Sequence, residues 1–127
     1  MKKIYYLAVE ATLDVISGKW KPIILCHLGG KTLRNHELRK RIPGISQRIL
    51  TKQLRELEED NIIIRRAYNQ IPPKVEYSLT KEGNSLRNIL LTMSEWGASR
   101  VANEQAKGSN ITIQNYNNDG FLNMKNN

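Results

Sequence analysis

Apolar and polar positions follow a helical period most clearly near the middle of the chain, over residues 46–60. Leu50, Leu54 and Leu57 recur at steps of four and three, which is the spacing of a helix that lies on a core. Ser46 stands where its side chain can cap the first turn. The same steps on another face hold cationic residues, so we predict an amphipathic helix with one buried side and one basic side.

Shorter apolar repeats predict three helices before this one. We expect the first over residues 4–16, the second over residues 19–28, and a third that runs from a cap at Asn35 to Arg41. The second is apolar nearly all round and should be the most buried helix. Because the turn Pro43–Gly44 joins the third helix to the amphipathic one, the pair predicts a helix-turn-helix.

Two stretches rich in β-branched and aromatic residues follow, over residues 62–68 and 75–79. They predict the strands of a hairpin, with the prolines of residues 72–73 in the connecting loop. A hairpin directly after the second helix of a helix-turn-helix is a wing. The predicted fold class is therefore mainly α with a small β-hairpin, a winged helix-turn-helix with N- and C-terminal dimerisation helices.

A last helix is predicted from a cap at Thr80 to about Lys107. The small core cannot cover its apolar face, and an uncovered face of this kind usually meets a second copy of the chain. The predicted homodimer interface combines this face with the first helix and consists of Tyr5, Tyr6, Leu7, Leu86, Ile89, Leu90, Met93, Trp96 and Val101. Residues 1–107 form one domain in this prediction, and the Asn-rich residues 108–127 form a flexible tail.

The basic residues are concentrated in one part of the sequence. Residues 31–55 hold eight lysines and arginines against one glutamate, a net charge of +7, whereas the whole chain carries +8. A basic run is often only a solvated face. Here, however, part of it fills one side of a capped helix, which favours a nucleic-acid surface.

The candidate DNA contacts lie on the basic helix and on the wing. Arginine and lysine suit phosphate, and guanidinium or amide groups can also read base edges. For Gln47 and Arg48 two options stay open, contact with bases and contact with phosphates from the start of the helix. The predicted set is Ser46, Gln47, Arg48, Thr51, Lys52, Arg55, Arg65, Arg66 and Lys74.

Length and composition exclude several classes of protein. The 127 residues suffice for one domain, and 39% apolar residues without a long apolar run predict a soluble globular chain. No secretory leader follows Lys2 and Lys3, and a single cysteine fits a reducing compartment. We therefore expect a cytoplasmic protein that does not contact membranes.

The sequence contains no evident catalytic or metal-binding constellation. The acidic residues fall mostly on exposed helical faces, and His27 and His36 with one cysteine do not form a zinc pattern. We predict no enzymatic activity, no metal and no cofactor. Cys26 lies in an apolar stretch, where a buried inert thiol is the ordinary outcome, although it is the one thiol that could sense an oxidant.

Three segments occur in the order and at the spacing typical of one family, namely ATLDVISGKWKPIIL, PGISQRILTKQLRELEEDNII and PPKVEYSLTKEG. Together they resemble the HxlR-type transcriptional regulators, winged-helix proteins related in architecture to the MarR regulators, over residues 8–100. The resemblance implies a homodimer that binds a palindromic or near-palindromic operator in double-stranded DNA. By position, the resemblance implies that five residues face the major groove, namely Gln47, Arg48, Thr51, Lys52 and Arg55. It also implies that Lys74, with Arg65 or Arg66, lies near the backbone or minor groove.

Two positions depart from the pattern of that family. Its members often sense aldehydes and quinones through a cysteine just before the VEATLD-like segment, and here Leu7 and Ala8 replace that cysteine and the following proline. Thiol sensing through this position is therefore not expected. Asn35 stands where many relatives carry an aromatic residue. The related architecture also allows a small-molecule effector site between the dimer helices and the DNA-reading unit, with a ligand that the sequence does not identify.

Two other functions stay open on the sequence alone. A winged fold can also be a protein-interaction module whose basic face binds an acidic partner. RNA is a weaker alternative, because Tyr68 is the only aromatic residue near the outer end of the wing and the basic surface lacks others for stacking. The polarised charge of the amphipathic helix favours duplex DNA over both.

Overall fold

The computed structural model describes residues 3–114 and 120–121. The elements along these residues are α1 Ala8–Ile16, α2 Trp20–Leu28, α3 Asn35–Arg41, α4 Gln47–Glu59, β1 Ile63–Tyr68, β2 Lys74–Leu79, α5 Lys81–Asn84 and α6 Arg87–Ala106. This order confirms the predicted fold class, with a helix-turn-helix in α3 and α4 and a wing in the antiparallel pair β1 and β2.

Helix α2 lies at the centre of the core. Its residues Ile24, Leu25 and Leu28 have no solvent exposure, and α3, α4, α6 and β2 all contact this helix. The three leucines predicted to form the apolar stripe of α4 are buried as well. Burial of apolar side chains on both helices stabilises the helix-turn-helix and leaves the opposite side of α4 in solvent.

The wing is joined to the helix-turn-helix through backbone hydrogen bonds. The N–H of Leu33 donates to the carbonyl of Tyr77 over 2.9 Å, and the N–H of Tyr77 donates to the carbonyl of Leu33 over 2.8 Å. A single bridge at Leu33, before α3, therefore pairs with the wing. Asn61 follows α4 in the left-handed conformation, with φ of 58°, which asparagine tolerates better than most residues.

The N-terminal boundaries of two helices differ from the prediction. Helix α1 begins at Ala8 instead of residue 4, because the Glu10 carboxylate accepts the N–H of Leu7 over 2.6 Å and closes the first turn there. Helix α3 is capped at Arg34 rather than Asn35, and the Glu37 carboxylate accepts the Arg34 N–H over 2.8 Å. In both cases an acidic residue at the third helical position fixes the start.

The single last helix predicted from Thr80 is wrong, because the chain forms the short α5 and then the separate α6. Thr80 does cap, since its hydroxyl oxygen accepts the N–H of Gly83 over 2.9 Å. Gly83 lies so close to the carbonyl of Ile62 that a side chain there would overlap it. This contact holds α5 against the residue that precedes the wing. Within the described ranges, no helix combines the length and the apolar composition needed to cross a membrane.

A contact near the C-terminus was not predicted. Phe121 is 1% exposed, and its ring lies against Gly29, where an added side chain would overlap it. A side chain added at Gly120 would likewise overlap the backbone carbonyl of Cys26. The predicted flexible tail over residues 108–127 thus does not describe Phe121, and residues 115–119 and 122–127 lie outside the described residues.

Candidate nucleic-acid interface

The exposed side of α4 carries most of the predicted DNA contacts. The Ser46 hydroxyl oxygen accepts the N–H of Ile49 over 3.2 Å, so the predicted cap forms and the helix starts where expected. All six predicted residues of this segment are exposed, namely Ser46, Gln47, Arg48, Thr51, Lys52 and Arg55. Because the leucine stripe faces the core, these groups are presented together to solvent.

Gln47 is held in place by two side-chain hydrogen bonds. Its amide nitrogen donates to the Asn35 side-chain carbonyl over 2.7 Å and to the Thr51 hydroxyl over 3.1 Å. This arrangement links the first turns of α3 and α4 and gives Asn35 a role that its sequence position did not reveal. An adenine read by Gln47 would have to take over one of these donors, since amide readout of adenine uses both the nitrogen and the oxygen.

The predicted basic residues of the wing differ in their exposure and in their contacts with neighbouring side chains. Arg65 and Arg66 are exposed on β1, on opposite faces of the strand because successive side chains alternate. Lys74 is partly buried, and its ammonium lies 4.8 Å from the centre of the Tyr68 ring and 3.5 Å from the Glu76 carboxylate. The two arginines therefore supply the available charge of the wing, whereas Lys74 is already engaged by wing residues.

An ion pair links α2 to the C-terminal half of α4. The ammonium of Lys21 lies 2.7 Å from the Glu56 carboxylate, and the Lys21 side chain is 9% exposed. The hydrogen bond from Lys21, followed by the attraction of its charge, lowers the pKa of Glu56 below its ordinary value. The sequence interpretation missed this pair, although a lysine inside a helix that is otherwise apolar was a usable signal.

The predicted dimer residues divide into two groups. Tyr6 is 90% exposed and Trp96 is 70% exposed, and the predicted residues Tyr5, Leu7, Ile89 and Met93 are exposed too, with Val101 partly so. Leu86 and Leu90 are instead buried in the core of their own chain. The chain itself covers these two side chains, so the exposed residues of the set are the ones available to a second copy.

Cys26 lies beside a cavity between α2 and α6. The cavity has a volume of about 260 Å³, and Ile23, Met93 and Cys26 are among the side chains that line it. Burial raises the pKa of the Cys26 thiol to about 11, so the thiol is protonated at neutral pH. In the part of the chain that the structure describes, no group of three His, Cys, Asp or Glu residues could hold a metal ion.

A helix-turn-helix with an exposed cationic second helix, followed by a two-stranded wing, defines the winged helix-turn-helix class of DNA-binding proteins. The chain belongs to the HxlR-like helix-turn-helix family, whose model matches residues 15–105. The predicted family is thereby confirmed. Members of this family are transcriptional regulators, and so this chain is a regulator and not an enzyme.

Individual relatives agree with this assignment. The helix-turn-helix-type transcriptional regulator YtcD of Bacillus subtilis (strain 168) is 54% identical over 100 residues, which are 79% of this chain and 79% of that protein. The redox regulator HypR in its reduced form has a similar structure, with a TM-score of 0.74 and 51% identity over 79% of this chain and 99% of that one. A MarR-family transcriptional regulator from Enterococcus faecalis V583 gives a TM-score of 0.68 at 38% identity, over 84% and 96% of the two chains.

Proposed function

We propose that this regulator binds an operator in double-stranded DNA as a homodimer, with α4 in the major groove and the wing on the flanking backbone or minor groove. The observation that carries the proposal is the exposed cationic side of α4, with Arg48, Lys52 and Arg55 in solvent and the leucine stripe buried behind them. Such a helix fits the major groove in width and charge. A regulator with this function works in the compartment that holds the DNA, which supports the predicted cytoplasmic location.

Charge complementarity supplies most of the affinity in this proposal. The excess positive charge lies almost wholly within residues 31–55, around the helix-turn-helix. If each dimer neutralises about six to eight phosphates, the logarithm of the binding constant falls with the logarithm of salt concentration at a slope of about −5 to −7. Any bidentate base contact that Gln47 or Arg48 makes then adds about 1–3 kcal/mol of discrimination.

A two-fold axis between two chains is the second part of the proposal. The exposed apolar side chains before and within α1 and on α6 supply the surface for a second copy. Two copies of α4 related by that axis read half-sites about 10 base pairs apart, or a multiple of that spacing. The cavity between α2 and α6 is the place that we propose for a small apolar effector, because it joins the DNA-reading unit to the dimer helix.

The test begins with sequencing of the duplexes that the purified protein selects from a random pool. Binding to the selected duplex is then measured by fluorescence anisotropy over a range of salt concentrations. We expect Lys52→Ala to weaken binding and to reduce the salt slope by about 1. Lys107→Ala is the matched control, because Lys107 is an exposed lysine at the C-terminal end of α6, outside the helix-turn-helix, and pairs with Glu104 over 3.7 Å.

Arg48→Ala separates the two options that the sequence left open. If Arg48 reads a base, the variant loses selectivity at one base pair of the site. If Arg48 contacts phosphate, the variant binds all duplexes more weakly to a similar degree. A protein that selects no duplex, or that binds an acidic protein as well as DNA without regard to sequence, contradicts the proposed function and supports the interaction-module alternative.

A further inference from the structure

Lys21 is the one buried charged residue in the part of the chain that the structure describes. It lies one turn before Ile24 and Leu25 on α2, among the most enclosed side chains of the core. A buried ammonium is costly unless a partner of opposite charge accepts its hydrogen bonds. Glu56 is that partner, at 2.7 Å, and it comes from the same helix that carries the cationic face.

The leucine stripe and the ion pair restrain α4 in different ways. Apolar burial is non-directional, so a stripe of three leucines tolerates small rotations and shifts of the helix on its core. A charged hydrogen bond of 2.7 Å depends steeply on distance and angle. Rotation of α4 about its axis would withdraw the Glu56 carboxylate and leave the Lys21 ammonium buried without a partner.

We propose that the Lys21–Glu56 ion pair is a positioning pair that sets the rotation of α4, and thereby the direction in which Arg48, Lys52 and Arg55 meet the groove. The proposal rests on the proposed function, because it assumes that α4 reads DNA. Neither side chain touches the nucleic acid in this role. Lys21 and Glu56 act through the orientation of the side chains that do.

Because Glu56 is charged, an effect on the orientation of α4 can be distinguished from an effect on DNA affinity alone. Glu56 is the first acidic residue of α4, so its neutralisation makes the DNA-binding helix more positive. That change raises affinity for any duplex, since fewer negative charges repel phosphate. Loss of helix orientation has the opposite effect on the selected duplex only. The ratio of specific to non-specific affinity therefore reports on positioning.

The experiment measures this ratio, with the selected duplex and a scrambled duplex of the same length and composition, for Glu56→Gln, Lys21→Met and the double variant. We expect Glu56→Gln to lower the ratio about tenfold, which is the size of losing one good bidentate base contact. Lys21→Met should lower it to a similar extent, and the double variant should fall no further than either single one. Glu59→Gln is the matched control, because it removes an exposed carboxylate from the same helix and should leave the ratio unchanged.

Circular dichroism and thermal unfolding establish that each variant is folded under the binding conditions. If Lys21→Met does not fold, Glu56→Gln still tests the proposal, because glutamine keeps the size of the side chain and removes the charge that attracts Lys21. A purely structural pair would lower the melting temperature and leave the ratio at the Glu59→Gln value, and that result overturns the positioning role. A wild-type protein that does not distinguish the two duplexes overturns the proposed function, and the positioning role with it.

Discussion

Cys26 shows how its surroundings decide the chemistry of a single residue. Burial raises the pKa of its thiol from 9.0 to about 11, which lowers the thiolate fraction at neutral pH about 100-fold. We expect iodoacetamide to alkylate Cys26 about two orders of magnitude more slowly in the native protein than in urea at pH 7.5. In the native protein, at pH values below the folded pKa, the alkylation rate should rise about tenfold for each unit by which the pH is raised. Equal rates with and without urea would show that the thiol is exposed and available to oxidants.

Ser46 decides where α4 begins, and its effect is local enough to read from sequence. Its hydroxyl oxygen satisfies the N–H of Ile49, which has no partner within the helix. Ser46→Ala should lower the free energy of unfolding by about 1 kcal/mol in urea titrations, whereas Ser46→Asp should retain most of the stability. An alanine variant as stable as the wild type would mean that the cap contributes nothing.

At the scale of elements, the sequence predicted those features of helices and strands that depend on residues close together in the chain. The leucine stripe and cap of α4 and the β-branched and aromatic residues of β2 lie within single short segments, and the structure contains both elements. In α5, Gly83 lies against the carbonyl of Ile62, which is 21 residues earlier in the chain. Periodicity within the segment after Thr80 contains no trace of that contact, and so it predicts one continuous helix.

The same limit applies to the candidate site. The exposed cations of α4 could be predicted, because their partner is solvent. The Lys21–Glu56 pair and the bond from Gln47 to Asn35 join different helices, and they appear only when the helices pack. Leu86 and Leu90 have the same apolar character whether their own core or a second chain covers them, so the sequence could not distinguish the two.

Gly83 offers a direct test of the element boundary. An added methyl group would overlap the carbonyl of Ile62, a backbone group that cannot move aside cheaply. Gly83→Ala should lower the free energy of unfolding by more than about 1 kcal/mol, although alanine favours helix elsewhere. The neighbouring exposed residue supplies the control, since Asn84→Ala should change stability by less than about 0.5 kcal/mol. Stabilisation by Gly83→Ala would show that α5 does not lie against the wing.

At the scale of the whole molecule, Phe121 connects the C-terminal part of the chain to the end of α2. The family model ends at residue 105, so this contact lies outside the matched region. Loss of a buried phenyl ring typically costs about 3–5 kcal/mol, and the lower end applies to a contact close to the C-terminus. We expect Phe121→Ala to lower the free energy of unfolding by about 3 kcal/mol. Ile113→Ala, at an exposed position nearby, should change it by less than about 0.5 kcal/mol. Equal stability of the two variants would contradict the burial of Phe121.

The proposed dimer involves two copies of the chain, and substitution of one exposed side chain tests it directly. Trp96 is 70% exposed, on the side of α6 that also presents Ile89 and Met93. A tryptophan in the centre of an interface contributes more binding free energy than most residues, and a buried unpaired carboxylate there destabilises the complex. Trp96→Glu should therefore shift the protein from dimer to monomer in sedimentation equilibrium, with the dissociation constant raised at least about 100-fold.

Ile71→Glu is the matched control for this prediction, because Ile71 is 99% exposed at the wing and receives the same new charge. Its dissociation constant for the dimer should equal that of the wild type. If one dimer binds two half-sites, as proposed, Trp96→Glu should also make operator binding depend on a higher power of protein concentration. If Trp96→Glu stays dimeric while variants of Tyr6 and Leu7 dissociate, the N-terminal segment and not α6 holds the two chains together.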